Sequence, residues 1–183
     1  MRGIYVAFSV KQGVGGRDRD LQGSAELRVC PARVVEQARH ATQVTGYVSA
    51  EAGSGNVSAS GLSGTADLET GSGDVRGTAL SGPQLTLGSG SGDVNVSGLT
   101  SPRVVASDGS GDITLIFTKV PSYVHVKNAS GNVTLILPPG KTTLYRVNAS
   151  TSSGNRVINV PNSSLSHRRI TVTDGSGDIS ITN

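Results

Sequence analysis

The tripeptide Ser-Gly-Asp/Asn recurs seven times, with its glycine at Gly55, Gly73, Gly92, Gly111, Gly131, Gly154 and Gly177. Successive glycines lie 18, 19, 19, 20, 23 and 23 residues apart. Self-similarity at a near-fixed period is the signature of stacked repeat units that bury a continuous core together. Alignment on the glycine exposes what surrounds it. Seven and five positions upstream stand Val48/Ala50, Ala66/Leu68, Leu85/Leu87, Val104/Ala106, Val124/Val126, Val147/Ala149 and Ile170/Val172, all apolar. The residue between each pair (Ser49, Asp67, Thr86, Val105, His125, Asn148, Thr171) is mostly polar, which is the period of a strand with one buried face.

A second strand follows the Asp or Asn, with inward pairs Val57/Ala59, Val75/Gly77, Val94/Val96, Ile113/Leu115, Val133/Leu135 and Ile179/Ile181. The sixth copy departs. Reading Arg156 as an insertion predicts a bulge that hands the inward places to Ile158 and Val160. Each period thus carries two short strands joined at a Ser-Gly-Asx corner. Equivalent strands of stacked coils pair in parallel at ~4.8 Å, so seven coils predict an all-β, single-stranded β-solenoid (parallel β-helix) roughly 30 Å long. A sandwich of hairpins also supplies two strands per period, but it does not require the same corner seven times.

The composition suits a solenoid better than an enzyme. Twenty-five glycines, four Tyr, two Phe and no Trp leave little for a thick globular core. The net charge of +3 is modest and Lys and Arg form no run, which argues against a nucleic-acid partner. One cysteine, Cys30, excludes an internal disulfide and has no base partner to make it a nucleophile. Histidines 40, 125 and 167 form no ligand cluster, and no paired carboxylates suited to glycoside cleavage stand out. Gly13 to Gly16 lack the lysine of a phosphate loop. The Asn-x-Ser/Thr sequons at residues 56, 95, 128, 132 and 148 follow from the repeat's composition. No stretch reaches the ~20 apolar residues of a membrane span, and the N-terminus is a poor signal peptide.

The corner carries two readings. Structurally, glycine supplies a positive φ, the Asp or Asn closes an Asx-turn, and the serine hydroxyl bonds along the stack. Functionally, Asp74, Asp93 and Asp112 belong to consecutive copies and stack one coil apart. Like charges at that distance repel by about 1 kcal/mol in water, so a cation such as calcium is one way to relieve them. No other cofactor is indicated.

The chain divides into a non-repeat segment, 1–43, and the repeat domain, 44–183. Alternation through Ile4, Val6, Phe8 and Val10 predicts a strand, and Val34, Val35, Ala38, Ala41 and Val44 predict a short helix capping the first coil. At the other end, Ile179–Ser-Ile-Thr-Asn183 reads as an uncovered terminal strand open to self-association.

Recurrent Gly-Ser-Gly-Asp-Val with Leu-x-Gly and Leu-x-Thr between copies, as in residues 61–75, resembles the bacterial adhesin-type domains of unknown function. That resemblance covers residues 44–183 and implies a β-solenoid in envelope-associated bacterial proteins, with no catalytic residues to carry over. Three readings follow. The first is a non-enzymatic binding module whose outward Ser, Thr, Asn and Arg columns meet a protein or glycan at the cell envelope. The second is a scaffold that polymerises end to end, as bactofilin-type β-helices do. The third is a calcium-stabilised module.

Overall fold

The computed structural model describes residues 46–183 except 141, and the strands β1 (Tyr5–Val6), β2 (Ala25–Glu26) and β3 (Arg39–Thr42). Strands β1 and β2 pair antiparallel. Every other ladder is parallel and joins equivalent strands of different coils.

Seven coils each contribute one strand to each of two sheets. The first sheet takes β4 (Val48–Ser54), β6 (Ala66–Ser72), β8 (Gln84–Ser89), β10 (Arg103–Asp108), β12 (Tyr123–Asn128), β14 (Arg146–Ser153) and β16 (Arg169–Ser176). The second takes β5 (Val57–Ser60), β7 (Val75–Thr78), β9 (Val94–Leu99), β11 (Ile113–Phe117), β13 (Val133–Ile136), β15 (Arg156–Asn159) and β17 (Ile179–Thr182), and β3 extends it by pairing with β5. The expected helix over residues 31–44 is therefore wrong at its end. Residues 39–42 add a strand to the edge of β5, whose unpaired backbone groups outweigh a weak apolar face. The remainder of that expected helix lies outside the described residues, as do Cys30 and Gly13 to Gly16.

The core lies between the sheets. Val57, Val75, Val94, Ile113, Val133 and Ile179 line one wall, and Leu68, Leu85, Val104, Val124 and Ile170 face them; all are buried. Leu62, Leu80 and Leu137, from the stretches that follow the second strand, and Leu99, at the end of β9, are equally buried. These leucines close the cross-section on a side that the strand periodicity does not reveal.

The coils do not stack in sequence order. The first sheet runs β14-β16-β12-β10-β8-β6-β4 and the second runs β15-β17-β13-β11-β9-β7-β5-β3. The coil of β14 and β15 is laid one place too far along, and the coil of β16 and β17 returns to fill the gap. This corrects the expectation of an uncovered strand at residues 179–183. Leu135, Ile181 and Ile158 stand side by side in register, and Ile181 is fully buried between its neighbours. It also bears on the two 23-residue intervals: the connection from β13 to β14 crosses two coil spacings rather than one, and the connection from β15 to β16 steps back by one against the direction of every other.

The exposed end of the rod is therefore β14 and β15. Arg156 is not an insertion. It pairs in register with Ile179, and Ile158 pairs with Ile181, so arginine holds the inward place that Val or Ile holds in every other coil. Among the described residues no strand pairs beyond it in the stack, and its Nη1 donates to the Ala149 carbonyl on edge strand β14 at 2.8 Å. The Val147 amide of the same edge donates to Asn162 Oδ1 at 3.1 Å. Edge groups that another strand could use are thus taken internally.

Candidate binding surface

All seven corner glycines have φ between 103° and 151°, a region in which a side chain is strained. At Gly92 a Cβ would also strike the Gly73 carbonyl one coil below. The Asp/Asn side chain does not close a turn on its own coil as expected. Its Oδ1 accepts the amide of the equivalent residue one coil further on. This chain runs from Asn56 through Asp74, Asp93, Asp112, Asn132 and Asp178 to Asn155, with N···O distances of 2.7–3.1 Å. The corner serine joins the ladder through its carbonyl, as where Gly92 N–H donates to Ser110 O at 3.0 Å.

Asp74, Asp93 and Asp112 do stack on consecutive coils. Each spends one carboxylate oxygen on the ladder, and Asp74 Oδ2 accepts from Arg76 at 2.7 Å. Among the described residues no three His, Cys, Asp or Glu side chains come together as a metal site. The seven glycines and the three aspartates thus form the hinge line of each coil.

Inside the corner runs a polar column that the sequence reading missed. Three residues before the corner glycine, in every coil but the first (where Ala52 stands), are Thr70, Ser89, Asp108, Asn128, Asp174 and Thr151, in that spatial order. Four of them donate to the corner-glycine carbonyl of the adjacent coil: Thr70 to Gly55, Ser89 to Gly73, Asn128 to Gly111 and Thr151 to Gly177, at 2.9–3.2 Å. Asp108 and Asp174 occupy the same register as donors, yet are acids. Asp108 Oδ1 accepts from Ser110 N–H at 3.3 Å, while its Oδ2 and both oxygens of Asp174 are buried without a partner. Burial raises both pKa values. Nearby amides (Ser110 and Gly109; Ser176 and Gly175) pull the other way, as does the Thr151 hydroxyl at Asp174. Asp93 and Asp112 push Asp108 further up, and Asp178 does the same to Asp174. Mixed residue types at this position leave no hydropathy pattern to find.

The outward face of the seven-stranded sheet holds the other concentration of chemistry. Its first row places Gln84, Arg103, Tyr123, Arg169 and Arg146 side by side across β8, β10, β12, β16 and β14. The Arg103 guanidinium lies over the Tyr123 ring, 4.2 Å from its centroid, a cation–π geometry. His125, outward on β12 as expected, stacks beside Tyr123 with ring centroids 6.4 Å apart. Lys127 is exposed on the same strand. At the opposite end of this face, Glu51 on β4 is paired in register with Glu69 on β6, and Asp67 stands two residues before Glu69. Partial burial raises the pKa of Asp67 and Glu69, and their mutual repulsion with Glu51 adds to it.

This segregation extends along the whole rod. Residues 46–112 contain seven acidic and two basic side chains, a net of −5; residues 113–183 contain two acidic and seven basic ones, a net of +5. The two coils that stack out of sequence order both lie in the basic half, so the charges still form two opposed halves along the axis. The modest total of +3 conceals them; counting charge by halves would have revealed them.

Two parallel sheets stacked coil on coil, with a hydrogen-bonded corner and a charge-divided face, define a β-solenoid domain. The chain belongs to the Toastrack DUF4097 family, domains of unknown function, whose model matches residues 42–183. No curated protein and no solved structure matches it. Among the described residues no helix is long and apolar enough to cross a membrane.

Proposed function

We propose that this domain is a non-enzymatic binding rod of the bacterial cell envelope, which presents the basic half of its seven-stranded sheet to an anionic glycan. The observation that carries this reading is the row Arg103, Tyr123, Arg169 and Arg146, with the Arg103 guanidinium 4.2 Å over the Tyr123 ring. Guanidinium forks suit the carboxylate or phosphate groups of such a glycan, and the Arg103–Tyr123 stack fixes one fork on this face. The corner Asp and Asn side chains are spent on a backbone ladder, which favours a rigid scaffold over catalysis. The end-to-end scaffold is the weaker reading, because Arg156 covers the edge of β14 where another copy would add. Calcium is weaker too, since the aspartate trio is engaged in backbone hydrogen bonds.

Affinity measurement on immobilised polygalacturonate, with neutral dextran as control, tests the proposal. The expected result is salt-sensitive retention on the acidic polymer alone, lost in the double variant Arg146→Glu, Arg169→Glu. Equal retention of that variant would sink the reading.

A further inference from the structure

The outward face of the seven-stranded sheet carries both charge signs, separated along the rod axis. Glu51, Asp67 and Glu69 occupy β4 and β6, while Lys127, Arg146 and Arg169 occupy β12, β14 and β16. Burial, then repulsion from Asp67 and Glu51, raises the pKa of Glu69, and Asp67 Oδ1 is buried without a partner. Between the two patches the face is low: Thr86 and Gly88 on β8 lie beside Val105 and Ser107 on β10, so nothing bulky holds a flat partner away.

An isologous interface requires one patch to be complementary to another on the same surface, so that each contact occurs twice about a two-fold axis. This face meets that condition. We propose that two copies of the domain lie face to face and antiparallel through their seven-stranded sheets, the acidic end of each against the basic end of the other. The inference rests on the reading of this face as the working surface and goes beyond it by naming a second copy as occupant. The anionic polymer then competes for the same basic half.

Seven strands at ~4.8 Å and about five residues of each at ~3.3 Å give a face of roughly 500 Å², or about 1,000 Å² for the pair. That is the lower end for a specific complex, so the dimer is weak and governed by charge. Screening over a Debye length of ~8 Å at physiological ionic strength makes it salt-labile.

Sedimentation velocity of the full chain at low and high ionic strength tests the proposal. A concentration-dependent dimer is expected at low salt and monomer at high salt. Glu69→Arg and Arg169→Glu should each weaken the dimer roughly tenfold while leaving the melting curve in place, and the double charge-swap variant should restore it. Wild-type monomer at low salt, or a double variant no better than either single one, overturns the dimer. Polygalacturonate retention on the same samples separates the two ideas. A monomer that is still retained removes only the dimer, and a dimer that is never retained removes only the glycan reading.

Discussion

Oδ1 of Asp93 accepts the backbone amide of Asp112, one coil further along the rod, at 3.0 Å. The acceptor, not the charge, is what the ladder uses, since Asn56 and Asn132 serve in the same way. Asp93→Asn should therefore hold or raise the thermal midpoint, because it keeps the acceptor and removes repulsion from its neighbours. Asp93→Ala should cost about 1–2 kcal/mol, a few degrees for a domain of this size. A cation bound by the trio predicts the reverse: Asp93→Asn lowers the midpoint, and a chelator does the same to the wild type. Differential scanning calorimetry of both variants, with and without chelator, decides between them.

The buried acids Asp108 and Asp174 predict an unusual response to pH. Their native pKa values lie above the ordinary 3.8, so the folded state holds protons that the unfolded chain releases. Stability is then fullest at and below that ordinary value, and it declines as pH rises through the raised native values. A protonated Asp108 can donate as Ser89 and Asn128 do in the adjoining coils, whereas an ionised one leaves a buried charge. Asp108→Asn should flatten the dependence and stabilise the rod near neutrality by about 1–3 kcal/mol. Urea unfolding across about pH 4 to 7 checks both expectations.

Arg156 closes the rod where Val or Ile would invite a further coil. Replacing it with valine restores the residue type of the other coils and frees the Ala149 carbonyl on edge strand β14. Arg156→Val should leave the monomer's stability within about 1 kcal/mol. It should also produce concentration-dependent association that high salt does not disperse, unlike the charge-governed pairing of sheet faces. Light scattering coupled to size exclusion would detect it.

Two substitutions to aspartate test the coil order. Ile181 is fully buried, whereas its register partner Ile158, on the terminal strand β15, is 41% exposed. Ile181→Asp should destabilise by at least about 3 kcal/mol, because it buries an unpaired charge and removes core packing. Ile158→Asp should cost no more than about 1 kcal/mol. Sequential stacking, which would put Ile158 between two coils and Ile181 at the end, predicts the reverse order.

Much of this architecture is legible in the sequence, and the exceptions have physical causes. Pairs such as Leu85/Leu87 declare a buried face through their alternation, and the corner glycines declare a backbone angle. Arg156 misled because a charged residue at an inward place looks like a slipped register, when it is correctly registered and simply has no coil above it. The coil order was written in the two 23-residue intervals, but spacing alone does not say which way a longer connection travels. The column from Thr70 to Thr151 escaped notice because donors of different chemical type satisfy the same carbonyl. The charge-divided face was hidden because the −5 and +5 of the rod's two halves cancel in the total.

The wedged coil has a consequence for how the rod is made. Until β16 and β17 slot in, β14 and β15 have no strand of either sheet beside them, so the penultimate coil waits on the final one. Completion is an insertion rather than an addition, and the segment that arrives last in the chain acts as a keystone. Coils could be gained or lost among the first five without disturbing that lock. The closing pair is indivisible: removing the last coil would not shorten the rod by one, but would leave its end without a seat.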